Sequence, residues 1–161
     1  MNINLIFTYG VSLNDWKKSG ILDRELEIYR RMIANNGSVI NLITFGDDDD
    51  EHILLDEENF NIFPVYKFIS KRKSSFLNFF FSFLIPFKLK EKLKDADLIK
   101  TNQLNGSWIG IILKFLIKKP LIVRTGYNAY EFSIKDRKSK VKQFFYFFLT
   151  KFSIKFSDKY F

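Results

Sequence analysis

The sequence predicts an α/β fold, a doubly wound and mostly parallel sheet with helices on both faces. Three observations carry that prediction. Short apolar runs closed by polar turns recur along all 161 residues. Stretches of helical periodicity separate most of them, the pattern of a parallel sheet built by crossovers. Right-handed crossovers then place helices on both sides of one sheet.

The elements follow in order. Asn2 to Thr8 reads as a first buried strand, and Tyr9-Gly10-Val11-Ser12 as its loop. Gly10 permits positive φ and a close approach of backbone to a ligand. Ile21, Leu22, Leu26, Tyr29 and Ile33 recur at helical spacing, with Ser19 as a start signal and Asn36-Gly37 as a stop. Val39 to Phe45 is a second strand, followed by the acidic run Asp47 to Glu51, expected to be a solvated loop. Phe60 to Val65 is a third strand, and Pro64 marks it as an edge. Phe76 to Ile85 is a helix that Pro86 kinks or ends. Asp97 to Thr101 is a fourth strand, closing in Asn102-Gln103. Asn105-Gly106-Ser107 opens a helix through Leu116, which Lys118-Lys119-Pro120 stops. Ser139 to Phe156 is a last helix. From about residue 158 a further strand begins, so the chain is expected to be one Rossmann-like domain, 1–161, cut short there.

Bulk properties exclude several function classes. Hydrophobic residues make up 47% of the chain, enough for a real core. Cysteine is absent, which removes disulfides, thiolate zinc sites and cysteine nucleophiles. With His52 the only histidine, a multi-histidine metal site is excluded, and no metal is expected. Met1 to Tyr9 lacks the basic flank of a cleavable signal, and no apolar run reaches the ~18–20 residues of a spanning helix. A cytoplasmic location is expected. Residues 1–64 carry 5 Lys/Arg against 12 Asp/Glu, a net −7, whereas residues 65–161 carry 21 against 6, a net +15. Such a split points to one face that meets anions. Phe, Ile, Lys and Asn are all abundant, as in proteins from AT-rich genomes, so compositional drift competes as a source of the basic excess.

The most informative stretch is Leu121 to Glu131. Three aliphatic residues after Pro120 read as a buried parallel strand. The carboxyl end of such a strand is where open α/β sheets take ligands. Here Arg124, Thr125, Gly126, Tyr127, Tyr130 and Glu131 crowd into eight positions. The competing reading is a surface loop in which Arg124 pairs with a carboxylate such as Glu131. G-x-G-x-x-G, G-x-x-x-x-G-K-[ST] and G-x-S-x-G are all absent. What remains is a Rossmann-like sheet with polar carboxyl-end loops at Gly10/Ser12, Asn102/Gln103 and Arg124 to Glu131.

Five motifs in this order resemble the amino-terminal domain of glycosyltransferase family 4. They are Ser12-Leu13-Asn14-Asp15-Trp16, Gly20-Ile21-Leu22-Asp23-Arg24-Glu25, Lys100-Thr101-Asn102-Gln103, Gly106-Ser107-Trp108 and Val123-Arg124-Thr125-Gly126-Tyr127. The resemblance implies one half of a GT-B fold, in which this domain binds the acceptor and a second domain binds a nucleotide-sugar donor. It implies a hexosyltransferase-like, retaining enzyme of polysaccharide synthesis. It places the Gly10/Ser12 loop at the donor phosphates and Asn102, Gln103, Arg124, Thr125, Gly126, Tyr127 and Glu131 along the acceptor side of the cleft. Two departures stand out. The second domain and its E-x7-E motif are absent, so this piece alone is expected to be inactive. Arg124-Thr125 stand where many relatives have a histidine and an acid, so no catalytic residue is assigned.

The chemistry agrees with that assignment. Sugar transfer requires charge stabilisation of a leaving diphosphate and a firmly held acceptor hydroxyl. A glycine loop and a guanidinium suit the first, and amides and phenols suit the second. Residues 71–94 hold Phe76 to Ile85 between two basic clusters, which reads either as a core helix or as a patch for an anionic membrane surface. The expected partners are a nucleotide sugar, a glycan or lipid-linked acceptor and the missing donor domain. The alternative is a non-catalytic nucleotide- or phosphate-binding module. Nucleic acid is disfavoured, because no recognised binding signature accompanies the scattered basic residues.

Overall fold

The computed structural model describes residues 1–126 and 129–161. Its elements run β1 (Asn2–Ile6), α1 (Leu13–Lys18), α2 (Leu22–Asn36), β2 (Val39–Thr44), β3 (Phe60–Pro64), α3 (Ser75–Ser82), α4 (Ile85–Leu93), β4 (Leu98–Thr101), α5 (Ser107–Ile117), β5 (Leu121–Val123), α6 (Ala129–Lys135), α7 (Lys140–Phe156) and β6 (Lys159–Tyr160). The strands form one sheet in the order β3-β2-β1-β4-β5-β6. Every ladder is parallel. The predicted doubly wound Rossmann-like architecture is therefore the observed one, with β3 at an edge as Pro64 requires.

Strand pleating sends alternate side chains to opposite faces. Leu5, Phe7, Lys100 and Arg124 face α1 and α2: Phe7 stacks on Trp16 with centroids 4.0 Å apart, and Lys100 reaches Tyr29. Ile6, Thr101 and Leu121 face α5, where Gly110 lets them approach; an added Cβ would lie 3.0 Å from Leu121. Gly106 opens α5 at φ +107°, and a Cβ there would stand 2.9 Å from the Phe7 carbonyl. Both the backbone conformation and the close contact therefore require glycine at Gly106.

Asparagines cross the sheet beneath the apolar layer. Asn4, Asn41 and Asn61 share one register across β1, β2 and β3. Asn61 donates to Asn41 at 2.9 Å, Asn41 to Asn4 at 2.8 Å, and Asn4 to the Leu93 carbonyl at the end of α4 at 2.9 Å. The two inner amides are buried, so each needs these partners.

Five local expectations are corrected. Ser12 and Asp15 form a capping box that starts the short helix α1, which an apolar pattern limited to Leu13 and Trp16 does not announce. Ser19 consequently ends α1 rather than starting α2. The helix across Phe76 to Ile85 is broken at Phe83-Leu84, and Pro86 lies in the first turn of α4, where its missing N–H costs nothing. Residues expected in a loop after Gly126 begin α6 at Ala129. Finally, the acidic run is not wholly solvated, because Asp50 is buried.

Candidate functional site

Strand order reverses at β1. The chain winds from β1 to β2 and β3 on one side, then crosses back to β4 on the other. Ligands of open α/β sheets bind at the carboxyl ends of strands at such a reversal. A crevice of about 390 Å³ lies there, lined by Thr8, Trp16, Arg24, Glu25, Asn102 and Gln103 among others. Asn102 continues the pairing beyond β4, its N–H donating to the Ile6 carbonyl at 2.8 Å. Asn102 is buried and Gln103 half-buried. The Gly126 turn abuts the Gln103 side chain, since an added Cβ would lie 3.3 Å from its amide nitrogen and oxygen. Two predicted loops, Asn102-Gln103 and Arg124 to Gly126, are thus neighbours. Thr125 is buried beside them, and its N–H donates to the Phe161 carbonyl at 2.8 Å. Glu131 is carried away on α6, and Tyr127 lies outside the described residues.

Arg124 does have a carboxylate partner, and it comes from α2. Its guanidinium stands 3.5 Å from Glu25, which Arg24 also holds at 2.9 Å. Beneath them the Lys100 ammonium meets the Tyr29 hydroxyl at 3.0 Å. Burial pushes Lys100 below the ordinary lysine range, Arg124 adds to that effect, and Glu25 opposes it. Burial likewise raises Tyr29 far above its ordinary value, so its phenol stays protonated and can donate. The crevice thus combines the Asp15 and Glu25 carboxylates, the Arg24 guanidinium and the Asn102 and Gln103 amides, with Arg124 adjoining it through Glu25. These groups can hold several hydroxyls and one anion at once.

The Gly10/Ser12 loop forms the crevice's other rim. Gly10 is exposed at φ +80°, with open space beside it. Ser12 is committed to its helix: its N–H donates to Asp15 at 2.8 Å, and its Oγ accepts from the Asp15 N–H at 3.0 Å. The Ser12 N–H, and next the Ser12 hydroxyl donating to the same carboxylate at 2.7 Å, hold the Asp15 carboxyl below its ordinary range. The next two amides, of Leu13 and Asn14, each donate to Asp50 at 2.9 Å. A carboxylate of the chain itself therefore neutralises the amino end of α1.

Glu25, Tyr29, Lys100 and Asp50 were not singled out from the sequence as site residues. The first two carry a readable signal: they lie four apart on one helix face, so they stack toward the same strand. Lys100 sits inside an apolar strand, where a cation needs a partner. Nothing separates Asp50 from its acidic neighbours until Gly46 is seen to leave room for its carboxylate.

The fold is a Rossmann-like domain of the kind found in GT-B structures. No protein-family profile matches the sequence, and no curated protein is significantly similar to it. Solved structures do resemble it. HepE of Anabaena in complex with UDP and glucose superposes with a TM-score of 0.55 at 16% identity, over 99% of this chain and 37% of that one. HepE in complex with UDP-glucose gives a TM-score of 0.55 at 15% identity, over 99% and 36%. The chain therefore spans little more than a third of the length of these structures, and the likeness shows the fold.

Proposed function

We propose that this chain is the acceptor-side, amino-terminal domain of a glycosyltransferase of the family 4 kind. It would take a sugar from a nucleotide-sugar donor to a glycan or lipid-linked acceptor in cell-envelope polysaccharide synthesis. The observation that carries the reading is the crevice at the strand reversal, lined by Asp15, Glu25, Asn102 and Gln103 with Arg124 paired to Glu25, in a fold shared with a UDP-sugar-binding protein. In this reading Asn102, Gln103 and Glu25 orient acceptor hydroxyls, with Thr125 and Gly126 beside Gln103. Arg124 offsets charge on the departing diphosphate, since a guanidinium fork matches phosphate oxygens. Gly10 lets its loop approach the donor phosphates. With the α1 amides already taken by Asp50, that approach uses the exposed Gly10 backbone rather than the helix end.

A second domain supplies the donor site and faces the carboxyl edge of the sheet. The enzyme works in the cytoplasm at the inner membrane face, and residues 71–94 contribute to that contact. Among the described residues no helix is long and apolar enough to cross a membrane. The test is transfer from UDP-sugars, UDP-glucose first, by these 161 residues alone and joined to a GT-B donor half encoded downstream. Transfer is expected only in the second case. Turnover by the isolated chain, or tight nucleotide binding with no transfer by the joined protein, would sink the reading.

A further inference from the structure

On the sheet face away from α2, a pocket of about 240 Å³ lies at the carboxyl edge. Its lip is formed by Tyr9, in the loop after β1, and Asn105, in the loop before α5. The Tyr9 N–H donates to the Asn105 carbonyl at 3.0 Å and ties the two loops together. Thr8, one residue earlier, lines the crevice on the other face, so the two cavities flank the same loop. Inward the pocket is closed by rings. Phe79 packs on Trp108 and Phe145 with centroids 5.2 and 5.7 Å apart, and Trp108 meets Phe145 at 6.2 Å. A closed pocket smaller than the ~300–1,000 Å³ of sites for drug-sized ligands takes one ring and no long chain.

The outer wall comes from the start of α7 and the turn before it. Asn105 donates from its side chain to the Tyr146 hydroxyl at 3.4 Å, and the Lys138 ammonium stands 5.8 Å from the centre of the Tyr146 ring. Gln143 donates to the Lys138 carbonyl at 2.8 Å, which fixes the turn that carries this ammonium. Among the described residues Lys138 meets Asp136 at 3.5 Å, and Lys142 meets no carboxylate. An exposed pair such as Lys138–Asp136 yields readily to a better anion.

The two cavities differ in charge. The crevice is lined by the Asp15 and Glu25 carboxylates, and its Arg24 is already paired to Glu25. The described lining of the pocket has the Lys138 and Lys142 ammonium groups and no carboxylate. An anionic substituent is therefore repelled by the first and drawn to the second. The remaining lining suits a sugar: aromatic rings pack on its C–H face, and an amide and a phenol bond its hydroxyls.

We infer that this pocket holds one sugar residue that carries an anionic group, a carboxylate or a phosphate, with Lys138 and Lys142 on that group. The inference rests on the glycosyltransferase reading only in making that sugar part of the acceptor. The acceptor is then an acidic glycan, its charged residue in the pocket and a neutral residue in the crevice across the Tyr9-Gly10 loop.

The probes are methyl glucuronide and glucose 6-phosphate, titrated into the whole protein without donor and followed by NMR. The side-chain amides of Asn105 and Gln103 report the pocket and the crevice separately. The tighter of the two acidic sugars identifies the anion. It is expected to bind about tenfold more tightly than methyl glucoside, acetate or inorganic phosphate, and to move Asn105 rather than Gln103. The double variant Lys138→Ala/Lys142→Ala should lose that tenfold and bind methyl glucoside as before. Lys142→Gln alone, at an exposed position, should lose part of it with an unchanged melting temperature. Binding of no sugar, equal binding of methyl glucoside or of acetate or phosphate alone, shifts at Gln103 instead of Asn105, or no loss in either lysine variant would each overturn the inference. Transfer by the joined enzyme to neutral glycans, with no acidic sugar bound in the pocket, would overturn the pocket and spare the enzyme reading. Acidic sugar bound at Asn105 with no transfer to any acceptor would support the pocket and overturn that reading.

Discussion

At the scale of single residues, Arg124 has two roles that magnitudes can separate. Its partner Glu25 is 3.5 Å away, and 39% of the Arg124 side chain is exposed. A pair of that exposure is worth ~0–1 kcal/mol to the fold. A charge-assisted bond to a ligand is worth about 1.5–3 kcal/mol. In the full-length enzyme, Arg124→Ala should therefore cost under about 1 kcal/mol of stability and lower transfer about tenfold or more. Arg124→Lys should not restore transfer, because lysine keeps the charge and loses the planar fork. A lower melting temperature with unchanged kinetics would remove Arg124 from the site. Asp158 gives a prediction about pH. Lys114 at 2.7 Å, and next the Leu121 N–H, hold its carboxyl below the ordinary range. A depressed folded-state value stabilises the fold above the unfolded value, about 3.9. That contribution fades as pH falls through the lower, folded value. Denaturation midpoints should decline below about pH 4, and less steeply in Asp158→Asn. A decline as steep in the variant would show that the pair contributes nothing measurable.

At the scale of elements, the asparagine ladder ties three strands to a helix. Asn41 is its middle rung, donating once and accepting once. Asn41→Ala would leave the buried Asn4 oxygen without a partner. The desolvation cost of one such group is about 1–3 kcal/mol, and the second lost bond adds to it. The urea midpoint should fall accordingly with an unchanged slope. A neutral substitution would mean that water replaces the rung. Helix α1 is held at both of its first amides by Asp50, on the connection between β2 and β3. That contact fixes the Ser12 to Trp16 segment against the crevice, so the rim's geometry depends on an element remote in sequence.

For the whole molecule, the distribution of charge and aromatic surface matters most. Phe76, Phe80 and Phe87 are each more than half exposed, close in sequence to Lys71-Arg72-Lys73 and to the lysines of α4. Phe79, by contrast, packs on Trp108 and Phe145. The segment 71–94 is thus part core and part surface, as its composition allows. The proposed membrane contact predicts sedimentation with anionic liposomes that weakens as salt rises, because screening shortens to ~3 Å at 1 M. Equal sedimentation with neutral vesicles would reject the electrostatic part, and none at all would leave the aromatic surface to another partner.

The order and type of the main elements were legible from the residues. Apolar runs such as Leu121-Ile122-Val123 have only one low-energy use in a parallel sheet, and Gly37 stops a helix by local backbone preference. The same local rules placed Asn102-Gln103 and Arg124 at carboxyl ends, because strand direction alone puts them there. They could not say that Gly126 would abut Gln103, that Glu25 rather than Glu131 would meet Arg124, or that Asp50 alone of its acidic run would be buried. Those outcomes depend on which strands become neighbours. Strand order brings β4 beside β1, and the crossover hand decides which face α2 covers. The Arg124–Glu25 pair, the buried Asp50 carboxylate and the crevice are consequences of that placement, so only the tertiary structure decided them.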